Sequence, residues 1–344
     1  MALPAAGLVL ESVHTPTPCE QPPMHDANTR HGPAVPAVQT TLDLLGARVL
    51  VRGWLSANNI VFGDADSGAC VVDTGYASHA DQTVALVGQA LQGQALARIV
   101  NTHLHSDHCG GNAALAERWP GLQTQVPQGY QAALQDWDEG ALGYRGVDQR
   151  CPRFQAQRYL RPGDSVDLGG RPWQVHAAPG HDPQAVLLWE PASATLISGD
   201  ALWEQRLAII FPELTGEPGF DAASQVLDLI ERLAPRLVLP GHGQPFRSVA
   251  AALSASRQRL AAFAAAPHKH RQHAARALLS YHMLEFRQRP RQALIDWMAN
   301  TLVFQQALEC GDDPLLAQDR ATETLDRLLA DGVLRQQGTQ VLLG

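Results

Sequence analysis

The stretch that decides the reading of this chain is Thr102-His103-Leu104-His105-Ser106-Asp107-His108-Cys109-Gly110-Gly111. It comes after ALARIVN (residues 95–101), a run with the pattern of a buried strand, and precedes helix-compatible residues from Gly111 to Arg118. Where a strand runs into a loop, side chains i and i+2 share a face. His103 and His105 can therefore grip one metal ion while the turn presents Asp107 and His108 to another.

Working outward, the same arrangement recurs. Ala178-Pro179-Gly180-His181, Ser198-Gly199-Asp200 and Pro240-Gly241-His242-Gly243 each close an apolar β run with a turn and one residue able to ligate a metal. A single such segment is more often a turn with an incidental histidine. Three of them in one chain, beside the His103–His108 segment, supply the remaining ligands of a two-ion site.

The rest of the chain fits alternating strands and helices. TTLDLL (40–45), ARVLVRGWL (47–55) and NNIVFGDADSGACVVDTG (58–75) read as a meander of short strands, with Asp66-Ser67-Gly68 as turn chemistry. A helix is expected over His79–Leu91. Residues 136–161, with tryptophan, tyrosine, glycine and proline, read as a loop-rich insertion. Strands resume at SVDLGGRPWQVHAAPGH (165–181), AVLLWEP (185–191) and ATLISGD (194–200), and a helix near Ala222–Leu233 precedes RLVLPGHG (236–243). Beyond Pro245, helices are expected at Val249–Ala265, Arg271–Phe286, Arg291–Leu308 and Ala317–Ala330, then a hairpin in DGVLRQQGTQVLLG (331–344). This organisation divides into an extended arm over residues 1–37, a catalytic domain over 38–266 and a helical, winged-helix-like appendage over 267–344.

Composition narrows the function classes. With 344 residues, 45% hydrophobic and 17% charged, the chain is an ordinary globular protein with ample core. A formal charge of −8 argues against a surface built to neutralise phosphates. Residues 266–344 carry nine Lys and Arg against nine Asp and Glu, so the appendage lacks the basic excess of a nucleic-acid binder. Five scattered cysteines, an odd number, do not make a disulfide framework, and a reducing cytoplasm is expected. The N-terminal residues lack a secretory pattern and no stretch reaches about 18 apolar residues, so neither export nor a membrane span is expected.

The histidine and aspartate motifs resemble the metallo-β-lactamase superfamily, in particular its glyoxalase II-like branch with the HxHxDH signature, over roughly Thr40 to Gly243. The resemblance implies a four-layered αββα sandwich of two mixed sheets, with helices outside and the site at one edge. It implies one metal held by His103, His105 and His181, a second by Asp107, His108 and His242, and Asp200 bridging the two. Asp73, in VVDTG, matches an aspartate that orients a ligand histidine. Zinc is the expected metal, with iron or manganese as alternatives.

Such a ligand set implies a dinuclear hydrolase in which a metal-bridging hydroxide attacks a small ester, thioester or lactone, with Asp107 orienting the water and moving its proton. Two alternatives share the motif: a metal-dependent ribonuclease with a winged-helix tail, and a mononuclear-iron enzyme resembling persulfide dioxygenases. Glutathione recognition has only Arg247 as a basic candidate after GHGQPF, and residues 182–200 lack the tyrosine of the lactonase relatives. Trp203, Glu204 and Tyr144 are the expected substrate contacts, with Trp137, Tyr159 and Phe211 as further aromatic candidates. The other histidines, including His270, His273 and His282, are read as structural. A small-molecule substrate and a possible homodimer complete the expectation; nucleic acid and membrane partners are not expected.

Overall fold

Two β-sheets carry the molecule, and their strand ends carry the chemistry. The computed structural model describes residues 37–63 and 66–344; of the arm expected over residues 1–37, residues 1–36, with Cys19, His14, His25 and His31, lie outside the described residues. In chain order the elements are α1 (Val38–Leu45), β1 (Ala47–Leu50), β2 (Asn59–Phe62), β3 (Ala69–Val72), α2 (Ala80–Leu91), β4 (Leu96–Val100), α3 (Ser106–Cys109), α4 (Asn112–Arg118) and β5 (Gln123–Pro127). Then come α5 (Gln131–Asp136), α6 (Tyr144–Val147), β6 (Arg158–Leu160), β7 (Ser165–Leu168), β8 (Arg171–Ala177), β9 (Val186–Glu190), β10 (Thr195–Gly199), α7 (Phe220–Leu233) and β11 (Leu237–Pro240). The chain ends with α8 (Val249–Ala265), α9 (Pro267–Phe286), β12 (Gln288–Pro290), α10 (Arg291–Asn300), α11 (Leu302–Ala307), α12 (Pro314–Ala330), β13 (Leu334–Gln337) and β14 (Gln340–Leu343).

The first sheet is ordered β1-β2-β3-β4-β5-β6 and the second β11-β10-β9-β8-β7. Both are mixed: β1-β2-β3 and β7-β8-β9-β10 pair antiparallel, whereas β3-β4-β5-β6 and β10-β11 run parallel. Alternation along the strands explains the layering. Phe62, Val72 and Val100 of the first sheet meet Leu168, Trp173, Val175, Leu188, Ile197 and Leu239 of the second in one core between the sheets. Their neighbours Val61, Val71 and Ile99 point the other way, onto Val87 and Leu91 of α2 and Leu115 of α4. Leu187, Trp189, Leu196 and Val238 likewise pack against Val226, Leu227 and Ile230 of α7 and Leu253 of α8. The result is the expected helix–sheet–sheet–helix order.

Three local expectations are corrected. TTLDLL is helical: Thr41, Leu42 and Leu45 are its buried residues, and Gly46 ends α1 in a left-handed conformation at φ 63°. Residues 291–308 do not form one helix; Thr301 is extended (φ −96°, ψ 124°) between α10 and α11, and its hydroxyl donates to Trp297 O at 2.6 Å. The terminal hairpin gains a third strand, with β12 pairing to β14. The four described cysteines, Cys70, Cys109, Cys151 and Cys310, are free and buried. No helix among the described residues is long and apolar enough to cross a membrane.

Helices α9 to α12 and the small sheet share a core of their own, built on Leu279, Met283, Leu294, Met298, Phe304, Leu325 and Val341. Ile209 and Leu214, from the segment after β10, insert into that same core. The chain beyond residue 266 is thereby fastened directly to the loop after Asp200.

Candidate metal centre

The seven residues expected to hold metal converge at the strand ends. β4 leads to His103 and His105, α3 carries Asp107 and His108, the turn after β8 carries His181, the end of β10 carries Asp200, and the turn after β11 carries His242. Two donor sets result: His103, His105 and His181 in one, and Asp107, His108, Asp200 and His242 in the other, with ligand atoms inside each set within 4.8 Å of one another. His105 Nδ1 faces His181 Nε2 at 2.8 Å, and His242 Nε2 faces Asp107 Oδ2 at 3.0 Å. Asp200 stands between the sets: Oδ2 is 3.5 Å from His181 Nε2 and Oδ1 is 3.3 Å from His108 Nε2.

Close approach of the backbone makes this convergence possible. A Cβ on Gly241 would collide with Asp200 Oδ1 and His108 Cε1, so only glycine lets the β11 turn reach the ligands. Gly110 and Gly111 play the same part on the other side, where α3 sits against the backbone of Thr74, Tyr76 and Ala77.

Hydrogen bonds fix which nitrogen of each imidazole faces the centre. His181 Nδ1 donates to Ile209 O at 2.6 Å, leaving Nε2 inward. His108 Nδ1 donates to Asp73 Oδ2 at 2.8 Å. Asp73 Oδ2 also accepts from the Thr102 hydroxyl at 2.8 Å, and that hydroxyl lies 3.1 Å from His103 Nδ1. One carboxylate thus orients a histidine of each donor set. Asp73 does this from a left-handed backbone, φ 55°. That conformation costs about 1–3 kcal/mol, which its charge-assisted bonds, at about 1.5–3 kcal/mol each, offset.

The donor set suits a cation. His103 Nε2 is buried with no hydrogen-bond partner, an arrangement that is costly unless something accepts that lone pair. Burial, reinforced by the neighbouring imidazoles, drives His103 well below its ordinary pKa and brings His105 and His181 down to about 4. These three are neutral imidazoles at physiological pH, as metal ligands must be. Burial opposes charge on His108 too, yet Asp200, Asp73 and Asp107 together push it well above the usual value. Burial would also raise Asp107, but His108 and His242 outweigh it and hold its carboxyl below the ordinary range.

The centre opens into a cleft of about 780 Å³. Trp203 lines it, donates from Nε1 to Asp200 Oδ1 at 3.1 Å, and packs edge-on to His242. Tyr144 also lines it, but its hydroxyl is 3.1 Å from Cys109 Sγ and its ring is buried. Glu204 is not brought to the cleft: it is exposed and accepts from the Ser248 hydroxyl at 2.6 Å. Of the further aromatic candidates, Phe211 lines the cleft and packs edge-on to His105 and His181, whereas Trp137 and Tyr159 belong to the packing around Leu104 and Val126. Arg247 is engaged elsewhere, donating to Arg236 O and the Thr41 hydroxyl.

Several residues at the site lie outside the motifs that the sequence displays. Trp54 stacks on His242 at 5.3 Å, with the Arg206 guanidinium 4.6 Å over its ring. Asp182 Oδ2 lies 3.5 Å from His105 Nε2, and its position directly after His181 is a usable signal. Tyr281 of α9 donates to Leu55 O at 2.9 Å and lines the cleft. His270 of α9, read as structural, accepts from Ile210 N at 3.0 Å, one residue from the carbonyl that orients His181. His273 lines the cleft.

Comparison with known proteins agrees with this geometry. The sequence profile of the metallo-beta-lactamase superfamily matches residues 52–242. Among curated proteins, the chain is 33% identical over 162 residues to a hydroxyacylglutathione hydrolase of Synechococcus sp. (strain JA-3-3Ab), covering 46% of this chain and 56% of that protein. It is 26% identical over 162 residues to an acyl-coenzyme A thioesterase of Gallus gallus, covering 43% of this chain and 56% of that protein. The chain therefore spans about half the length of the curated relatives it matches. In fold it is similar to a beta-lactamase domain protein from Burkholderia ambifaria, with a TM-score of 0.52 at 23% identity over 92% of this chain and 97% of that one. With the profile spanning every ligand from His103 to His242, the chain belongs to the metallo-beta-lactamase superfamily.

Proposed function

We propose that this protein is a metal-dependent hydrolase that holds two divalent cations and adds water to the acyl carbon of an ester, thioester or lactone. One observation carries the reading: two complete donor sets meet at Asp200 on the floor of a cleft large enough for a substrate. His103, His105 and His181 hold one cation, Asp107, His108 and His242 the other, and Asp200 contributes to both. Zinc is the first choice, iron and manganese the alternatives. When bound, such ions supply Lewis acidity that lowers the pKa of water from about 15.7 to about 7 and polarises an acyl oxygen.

The chain's own residues do the rest. Asp107, kept ionised by His108 and His242, accepts the proton of the attacking water and delivers it to the leaving group. The acyl–oxygen or acyl–sulfur bond breaks as the water oxygen bonds to carbon. Asp73 keeps His103 and His108 aimed inward, and Trp54, Trp203 and Phe211 wall the site from bulk solvent. Residues 38–266 constitute the catalytic domain in this scheme and 267–344 an appendage that completes the cleft.

The thioester arm draws support from the hydroxyacylglutathione hydrolase and acyl-coenzyme A thioesterase relatives. Arg247 lends nothing to glutathione recognition, because its guanidinium is held by Arg236 and Thr41. The test is a screen of metal-loaded protein against thioester, ester, lactone, phosphodiester and β-lactam substrates. Turnover of acyl substrates is expected. Turnover of phosphodiesters alone overturns the reading, and one iron per chain with oxygen consumption on thiol persulfides replaces it with a dioxygenase.

A further inference from the structure

The cleft has a wall that the two sheets do not supply. His273, Arg276, Ala277, Ser280, Tyr281 and Leu284 of α9 all line it. Their spacing of three and four residues places them along one side of the helix, so α9 lies along the cleft from His273 to Leu284, eleven residue steps. At 1.5 Å per residue that is about 16 Å. The stripe changes character along its length, from the polar pair His273 and Arg276 to Leu284.

Apolar groups line the rest of the cleft. Leu302 and Val303 of α11 line the same cleft, as do Leu142 and Val147 of the insertion, and Val333 closes it from the turn before β13. Trp297 Nε1 donates to Asp148 Oδ2 at 2.9 Å, tying the insertion to α10 so that the two walls hold together. Leu302 is 54% exposed and Val333 37% exposed, and both line this cleft. Large side chains left uncovered inside a cleft that leads to a reactive centre mark a surface that a ligand covers.

We propose that this wall is an acyl-chain site, which takes the unbranched chain of the ester or thioester whose carbonyl lies at the metal centre. The inference relies on the hydrolase reading for the position of the carbonyl, and on the wall alone for the chain.

The test is calorimetric binding of straight-chain carboxylates, from butanoate to tetradecanoate, to the metal-loaded full chain, alongside turnover of the matching acyl thioesters. The expected result is one ligand per chain and a Kd that falls up to about fourfold per added methylene, levelling off once the chain outgrows the apolar lining. L302D, at a half-exposed position that tolerates polarity, is expected to flatten this dependence and weaken dodecanoate binding at least tenfold. A Kd indifferent to chain length, or an L302D series that matches the parent, overturns the acyl-chain site. Chain-length-dependent binding without thioester turnover sinks the hydrolase reading alone; short-chain turnover with flat binding sinks only the chain site.

Discussion

Asp73 Oδ2 accepts a hydrogen bond from His108 Nδ1 at 2.8 Å, and through the Thr102 hydroxyl the same oxygen reaches His103, so one buried carboxylate aims a ligand of each donor set. D73N keeps the volume but loses the charge and one acceptor. Losing such an outer partner costs about 10–100-fold in metal affinity or activity. The expected outcome is that loss in a folded protein, read by metal content after dialysis and by circular dichroism. Full metal retention in D73N contradicts this orienting role.

D107A and D200A separate two functions. D200A removes the group between the sets and is expected to reduce bound metal and abolish turnover. D107A is expected to abolish turnover while retaining the cation of His103, His105 and His181. Metal analysis beside single-turnover assays checks both, and parental rates in either variant contradict the scheme.

G241A tests the backbone approach. Its methyl group meets Asp200 Oδ1 and His108 Cε1, both packed among buried ligands that cannot retreat. Loss of metal with near-parental secondary structure is expected, measured by metal content and far-ultraviolet circular dichroism.

Outside the metal centre, His270 and His282 add to the acid sensitivity of the ligand histidines: both are brought down to about 4, chiefly by burial. In the unfolded chain each titrates near 6.5, so between pH 6.5 and 4 the unfolded state binds more protons and stability falls as pH falls. Each site contributes a slope of at most about 1.4 kcal/mol per pH unit. Metal-free protein is therefore expected to lose thermal stability steadily across that window. H270Q, whose amide oxygen reaches the place of Nε2 and can still accept from Ile210 N, is expected to show a shallower loss. An unchanged slope contradicts the burial argument.

Much of this site is legible in the sequence because each ligand ends an apolar strand, and both strand and turn leave local signatures. Asp182 carries a signal in its adjacency to His181. The α9 wall carries none, because its cleft-facing stripe mixes histidine, arginine, serine, tyrosine and leucine and so shows no apolar period. Its meeting with Trp54 and Phe211 depends on contacts between residues far apart in the chain. TTLDLL misleads because its β-branched threonines favour strands, whereas Leu42, Leu45 and the left-handed Gly46 obey helical spacing and capping. Strand β12 is three residues ending in Pro290, too short and too polar to announce itself. Glu204 lies just past the ligand Asp200 in sequence, but its side chain turns outward to Ser248.

The central claim is that His103, His105, Asp107, His108, His181, Asp200 and His242 enclose a pair of cations. Anomalous diffraction from crystals grown with excess zinc tests it most directly. Two anomalous peaks are expected, one bounded by His103, His105 and His181, the other by Asp107, His108 and His242, with Asp200 between them. A single peak, or density only at the surface histidines, contradicts it.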